Sequence, residues 1–254
     1  MPSFIASITP SYDTDASAFF NTAGVSKTDA KQQISRFVTG IKDLGLWSSM
    51  VCWPLRSSQN AGTGTIAYSL GGLGTFNGTL RNGPTWGADG LTYDGFDDNI
   101  TTSFTLAATQ LFYGMIGPMP TSGNNGNFFG APNSNSQGLY WLNPRSGFGG
   151  EYRYAGSNLA VADNTTSGVN MWSVIAGAGL NTKGFRSKTL LGTAGSVAPT
   201  PSPLTLSSGL SLGRYNGGYQ GTASFVFVIH STQTSPDAFY DLYKTTLGLG
   251  LDLP

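Results

Sequence analysis

A chain of 254 residues with 39% hydrophobic content is long enough for one large domain and apolar enough to bury a core, which excludes a disordered chain. Lys plus Arg equals Asp plus Glu at 13 each and only 10% of residues are charged, so a dedicated nucleic-acid binder is excluded. The single cysteine, Cys52, rules out an intrachain disulfide and a cysteine-based zinc site.

The opening stretch, MPSFIASITPSYDTD, has no basic start followed by an apolar run, so a signal peptide is not expected. No apolar run approaches the length of a membrane span. A surface of Gly, Ser, Thr and Asn with few charges is unlike that of a metabolic enzyme. A virion component, made inside a cell and working outside it, reconciles these features. Residues 1–21 have no sustained periodicity, and Thr9-Pro10-Ser11 and Asp13-Thr14-Asp15 read as turn clusters. Residues 1–24 are therefore expected to form an arm, either flexible or docked on a neighbouring subunit.

Ser26 to Leu44 reads as the one long helix. Ala30, Ile34, Phe37, Val38 and Ile41 make an apolar stripe, Ser26 and Asp29 suit a capping box, and Gly45 suits the stop. Such a stripe predicts a helix packed on the domain behind it. Residues 25–49 are taken as this helix and a lead-in, and 50–254 as the main domain.

Met50 to Leu55 reads as the first strand. Further strands are expected at Ser103–Leu106, Gln110–Ile116, Phe128–Gly130, Gly138–Leu142, Gly149–Tyr154, Met171–Gly177 and Gly184–Leu191. Asn, Gly, Ser and Pro clusters separate them at sandwich spacing, and Pro199, Pro201 and Pro203 make a rigid loop. Leu210, Leu212 and Arg214 alternate with small residues, and Tyr215 to Gly221 reads as a turn. Ser224 to His230 is a continuous apolar run, as in a strand covered on both faces. A short helix follows, with Ser235 as N-cap, Pro236 at the first position and Phe239, Leu242 and Tyr243 at helical spacing.

Several phrases carry a family resemblance. Trp53-Pro54-Leu55, Asn77-Gly78-Thr79-Leu80, Gly90-Leu91-Thr92-Tyr93-Asp94-Gly95-Phe96-Asp97-Asp98-Asn99-Ile100, and the closing order of Leu-x-Leu-Gly, Gly-rich turn, apolar strand and Ser-Pro-capped helix resemble laminin-G-like (concanavalin A-like) jelly rolls. The Asp-x-Ser-Gly usual in that family near Tyr68–Gly71 is missing, which weakens any implied metal binding. Phe20 to Val25, the helix, and Gly45-Leu46-Trp47-Ser48-Ser49-Met50 resemble the lead-in before such domains in phage structural proteins. The resemblance implies an all-β, two-sheet antiparallel jelly-roll sandwich with an N-terminal arm and helix and a short C-terminal helix.

The chemistry is sparse. Retaining glycoside cleavage needs two carboxylates about 5 Å apart, and the chain has one Glu, Glu151, with no alternating acidic neighbour. A Ser-His-Asp arrangement would have to use His230, the only histidine, and no nucleophile-elbow pattern occurs. Asp94, Asp97 and Asp98 have oxygen ligands for calcium but read better as turn residues. Trp141, Tyr152, Arg153, Tyr215 and Tyr219 offer aromatic faces and a guanidinium suited to sugar stacking, with Tyr140, Tyr154 and Arg145 nearby.

The expected protein is thus a non-enzymatic phage virion structural protein, a capsid decoration, head fibre or tail component that acts by surface adhesion. Its expected partners are capsid or tail proteins and its own copies, a trimer being one expected assembly, with no cofactor, metal, nucleic acid or membrane span. The alternative is a carbohydrate-binding module that recognises host surface glycans.

Overall fold

The computed structural model describes residues 10–105, 110–118, 128–130, 140–143, 151–154, 157–160, 168–177, 180–196, 209–213, 218–231, 233 and 235–254, with the backbone alone for 129, 140–143, 151–154, 157–160 and 194–196. Helices α1 (Thr14–Ala23) and α2 (Thr28–Asp43) and a 3-10 turn (Trp47–Ser49) lead into β1 (Met50–Pro54). Strands β2 (Ile66–Ala67), β3 (Gly78–Arg81), β4 (Thr85–Trp86), β5 (Leu91–Asp94) and β6 (Asn99–Thr102) follow. Next come β7 (Gln110–Pro118), β8 (Phe129–Gly130), β9 (Tyr140–Asn143), β10 (Glu151–Tyr154) and β11 (Ser157–Ala160). Strands β12 (Val169–Gly177), β13 (Asn181–Arg186), β14 (Thr189–Ser196), β15 (Ser211–Leu212), β16 (Gln220–Ala223) and β17 (Phe225–Ile229) precede helix α3 (Asp237–Thr245).

The fold is the antiparallel β-sandwich of jelly-roll type that the sequence implies. One layer is a six-stranded sheet in the order β1-β17-β7-β12-β13-β14. The facing layer joins β2-β3-β6-β15-β8 with β16-β5-β4. A further sheet, β11-β10-β9, lies beside β12, β13, β14 and β8.

Strand alternation sorts the apolar residues of the six-stranded sheet into two cores. Val51, Trp53, Tyr113, Met115, Trp172, Val174, Val226 and Val228 face the second layer, against Leu80, Leu91, Tyr93, Ile100 and Leu212. The intervening Met50, Cys52, Phe112, Ile116, Met171, Ile175, Phe225, Phe227 and Ile229 face the helices. Two buried indoles keep their hydrogen bonds: Trp53 Nε1–H donates to Phe76 O at 2.9 Å and Trp172 Nε1–H to Gly117 O at 3.1 Å.

The helices are this second core's cover. Phe37 of α2 packs edge-on against Phe225 at 5.5 Å and against Phe239 and Tyr243 of α3. Residues 14–23, expected within an arm, are instead helix α1, with Ala16, Phe19, Phe20 and Ala23 on one buried face. Asp13 caps it, accepting from the Asp15 N–H at 2.9 Å and the Ala16 N–H at 3.4 Å. The same carboxylate accepts from Lys42 Nζ at 2.8 Å, which ties the start of α1 to the end of α2. The expected Ser26–Asp29 capping box does not form, because α2 begins at Thr28 with Lys27 as its N-cap. Its end is as read: Gly45 at φ 69° donates to Lys42 O, and the Leu46 N–H reaches Ile41 O at 3.0 Å.

Two strands differ from expectation. The one placed at Ser103–Leu106 is β6, four residues earlier, because the Thr102 hydroxyl accepts the Phe104 N–H and bends the chain. The segment Gly184–Leu191 is a hairpin, since Arg186 pairs with Thr189 across a turn at Ser187–Lys188. The C-terminal helix is present as read but begins one residue later, at Asp237 with Pro236 as its N-cap, and the Asp237 N–H donates to Ser235 Oγ at 3.2 Å. The Pro199–Pro203 loop and residues 1–9 lie outside the described residues.

Two predictions follow from this packing. Gly90, at φ 148°, would place a Cβ 2.2 Å from Ala223 O, in the backbone of the neighbouring strand. Gly90→Ala should cost roughly 1–3 kcal/mol, seen as a lower urea midpoint at unchanged slope; an unchanged midpoint would refute the close approach. For Asp13, burial acts to raise the carboxyl pKa, but Lys42 and the Ala16 and Asp15 N–H groups together hold it below 3.8. A depressed folded pKa gives stability that is present above the unfolded value and lost as pH falls through the folded one. Acidification below about pH 4 should therefore destabilise the wild type more than Asp13→Asn, read from thermal midpoints at pH 7 and pH 3.

Candidate functional site

Three of the five expected sugar-stacking residues fall in the β11-β10-β9 sheet, and its register decides which act together. Arg153 of β10 pairs with Trp141 of β9 on one side and Asn158 of β11 on the other. These three positions form one cross-strand row on one face. Tyr152 pairs with Leu142 and Leu159, and alternation places it on the opposite face. Trp141 and Arg153 are therefore brought together, and Tyr152 is separated from them. Asn158 was not foreseen from sequence, since β11 is a four-residue strand, Ser-Asn-Leu-Ala, with no β-branched or aromatic residue to signal it.

Tyr219 is corrected to a core residue. It is 1% exposed, edge-on to Phe128 at 4.9 Å and to Tyr93 at 5.8 Å, and its hydroxyl donates to Pro118 O at 3.1 Å. Burial pushes its phenol pKa far up, so it remains a neutral donor. Tyr215 and Arg145 lie outside the described residues.

The turn between β5 and β6 brings ligand oxygens of Asp94, Asp97 and Asp98 within 4.8 Å of one another. Much of its geometry is turn geometry. Asp98 Oδ2 accepts the Asp94 N–H at 2.9 Å, Asp94 Oδ1 accepts the Phe96 N–H at 2.7 Å, and Asp97 O accepts from Asn82 and Asn99 side chains. Burial raises the Asp98 pKa, with Asp94 and Asp97 adding to the rise against the Asp94 N–H. Phe96, at the tip of this turn, is 78% exposed.

His230 tilts against Phe104 with ring centroids 5.8 Å apart, its Nε2 has no hydrogen-bond partner among the described residues, and burial lowers its pKa. The Cys52 thiol is fully buried, donates to Leu70 O at 3.2 Å, and is pushed well up in pKa by burial, which suppresses its thiolate. Glu151 pairs with Asn143 and Ala160 at the end of β10.

No family model matches this chain, and no curated protein matches its sequence. Among solved structures it is similar to Trypanosoma rangeli sialidase, with a TM-score of 0.55 at 12% identity over 85% of this chain and 39% of that one. Against the same enzyme in complex with sialic acid, the TM-score is 0.54 at 9% identity, covering 77% and 32%. The full-length tailspike protein 2 of Escherichia coli O157:H7 bacteriophage CAB120 matches at a TM-score of 0.40 and 16% identity, over 56% of this chain and 23% of that one, too low to carry an argument. The chain thus spans about a third of the sialidases it superposes on. The expectation of a non-enzymatic chain is corrected by this finding, because the structures that share its fold include sialidases. At this identity the likeness shows the fold alone.

The acidic turn gives a prediction with the opposite sign to that of Asp13. A raised folded pKa means that Asp98 stabilises when protonated, and that this contribution is lost as pH rises. Asp98→Asn keeps an oxygen for the Asp94 N–H and removes the crowded charge. It should raise the thermal midpoint at pH 7, with the gain shrinking as pH falls toward about 4, because the raised wild-type carboxyl is protonated by then. A lower midpoint at pH 7 would mean that all three charges are needed there, as they would be around a cation.

Proposed function

We propose that this chain is a glycan-binding β-sandwich module of a phage virion appendage, with the β11-β10-β9 sheet as its recognition surface. The observation that carries the reading is the cross-strand row Trp141–Arg153–Asn158. An indole offers a flat face to the apolar side of a sugar ring, while a guanidinium donates and an amide both donates and accepts for ring hydroxyls. Three strands at the usual spacing span about 10 Å, the reach of two sugar rings.

The virion setting is supported by the uncharged Gly-, Thr- and Asn-rich composition and by the lead-in from Phe20 to Met50. With α1 and α2 packed into the body, the two-core sandwich serves as the rigid mount of the recognition sheet. The proposed partners are a host surface glycan, neighbouring capsid or tail proteins, and further copies of the chain.

The test is a glycan array with the folded wild type, Trp141→Ala and Arg153→Ala. The wild type should bind a defined glycan set, Trp141→Ala should lose about tenfold or more in affinity, and Arg153→Ala should lose as much with altered preference. A folded wild type silent on the array, or a Trp141→Ala variant that binds undiminished, would overturn the reading.

A further inference from the structure

The six-stranded sheet treats its two edges differently. At β1 the edge is closed: the Cys52 N–H donates to Leu70 O at 2.7 Å and the Leu70 N–H to Cys52 O at 2.8 Å. Gly71 then lies so near that edge that a Cβ would come 2.1 Å from Met50 O. The other edge is β14, which is hydrogen-bonded to β13 on one side. Among the described residues no strand pairs with its other side, and β11 passes near it without joining its ladder. Thr189, Leu190 and Thr193 are exposed, Leu190 at 50%, and Leu191 and Gly192 are half-buried.

An edge strand turns N–H and C=O groups of alternate residues outward, so β14 offers a row of unspent donors and acceptors. Proteins ordinarily blunt such an edge with charges, a proline, a short strand or a bulge. β14 is eight residues long, Thr-Leu-Leu-Gly-Thr-Ala-Gly-Ser, with no charge and no proline. Of these devices it has the bulge alone, as two register shifts against β13. The shift at Leu191 keeps Leu190 and Thr193 on one face, since their partners Phe185 and Lys183 are two residues apart on β13.

We propose that β14 pairs antiparallel with β14 of a second copy, joining two six-stranded sheets into one across a two-fold axis. This gives a surface to the self-association in the proposed function and does not rest on glycan recognition. A second copy suits this edge because an antiparallel pair of identical strands is isologous, so each edge supplies the donors and acceptors that the other lacks. The strand carries no charge, so no like charges face each other along it. Lys188, just before it, is held by Asp241. An antiparallel pair sets the two copies' Lys188 at opposite ends of a strand about 27 Å long, whereas a parallel pair would set them side by side. Pairing also takes part of the exposed Leu190 side chain out of water.

The experiment is sedimentation equilibrium of the full chain and its variants. The wild type should be a concentration-dependent dimer with a dissociation constant at or below about 100 μM. Leu190→Lys and Thr193→Glu, both at exposed positions, each set like charges across the pair and should weaken it about tenfold or more, with the circular dichroism of the folded chain unchanged. A one-to-one mixture of the two variants sets opposite charges across the pair and should recover association, more strongly at low salt. Trp141→Ala should leave the dimer intact, so a chain that dimerises but is silent on the glycan array counts against the recognition sheet alone. The proposal is overturned if the wild type stays monomeric at about 100 μM, if it forms a trimer, or if both charge variants dimerise as the wild type does.

Discussion

The structure depends on one constraint: the six-stranded sheet is apolar on both faces, so both must be covered. Along β1, β7, β12 and β17, successive residues alternate between two cores with scarcely a polar interruption. The second β layer covers one face. Helices cover the other, and without them Phe112, Phe225 and Phe227 would meet water, at about 1.5–3 kcal/mol for each large side chain. The helical segment before β1 is therefore part of the sandwich and not an attachment to it. Asp13 and Lys42 matter for the same reason, since they lock α1 to α2 in the cover.

A second constraint comes from how closely the layers meet at their corners. Gly90 lies against Ala223 O, and Gly218 lies against the backbone of Gly95, where a Cβ would come within 2.3 Å of Gly95 C. The chain passes from β16 to β17 through Ser224, whose N–H donates to Ile116 O and whose carbonyl accepts the Leu55 N–H. One residue thus stitches the second layer to both neighbours of β17. The Asp-Gly-Phe-Asp-Asp turn fits this picture as a corner held by its own side chains.

Much of this was legible in the sequence where the signal is local and periodic. The Ser224–His230 run announced a strand covered on both faces, the α2 stripe announced a packed helix, and Gly45 announced its end. What escaped had its signal masked or borrowed. In α1, Ala16, Phe19, Phe20 and Ala23 recur at helical spacing, but Pro10 and the Asp-Thr-Asp cluster read as turn, and Asp13 is in fact the cap. The β13–β14 hairpin hid behind Ser-Lys, which is no usual turn pair, because Ser187 is held by Asn170 on another strand. For the candidate site, composition supplied Trp141 and Arg153. Only pairing could show that Tyr152 faces the other way and that Asn158 joins the row, because register is a property of two strands and not of one. Tyr219 looked available beside its glycines, yet those glycines are what let its ring bury.

The two-faced sheet also limits where recognition can occur. Along β1, β7, β12 and β17 both its faces are spent on cores, so neither can offer a concave platform to a ligand there. The outer side of the second layer carries Thr79, Arg81, Thr92, Asp94 and Thr101, with Thr92 and Thr222 hydrogen-bonded across β5 and β16 at 2.9 Å. This is a flat, solvated surface of short side chains with little to enclose a sugar. The β12–β14 end differs, since the appended sheet lies beside it and the Ser187–Lys188 turn meets α3 through the Lys188–Asp241 ion pair. The proposed recognition sheet falls at that end for a packing reason that precedes function. It is where the sheet runs past its helical cover and its strands must end in turns, and turn residues can change without disturbing either core.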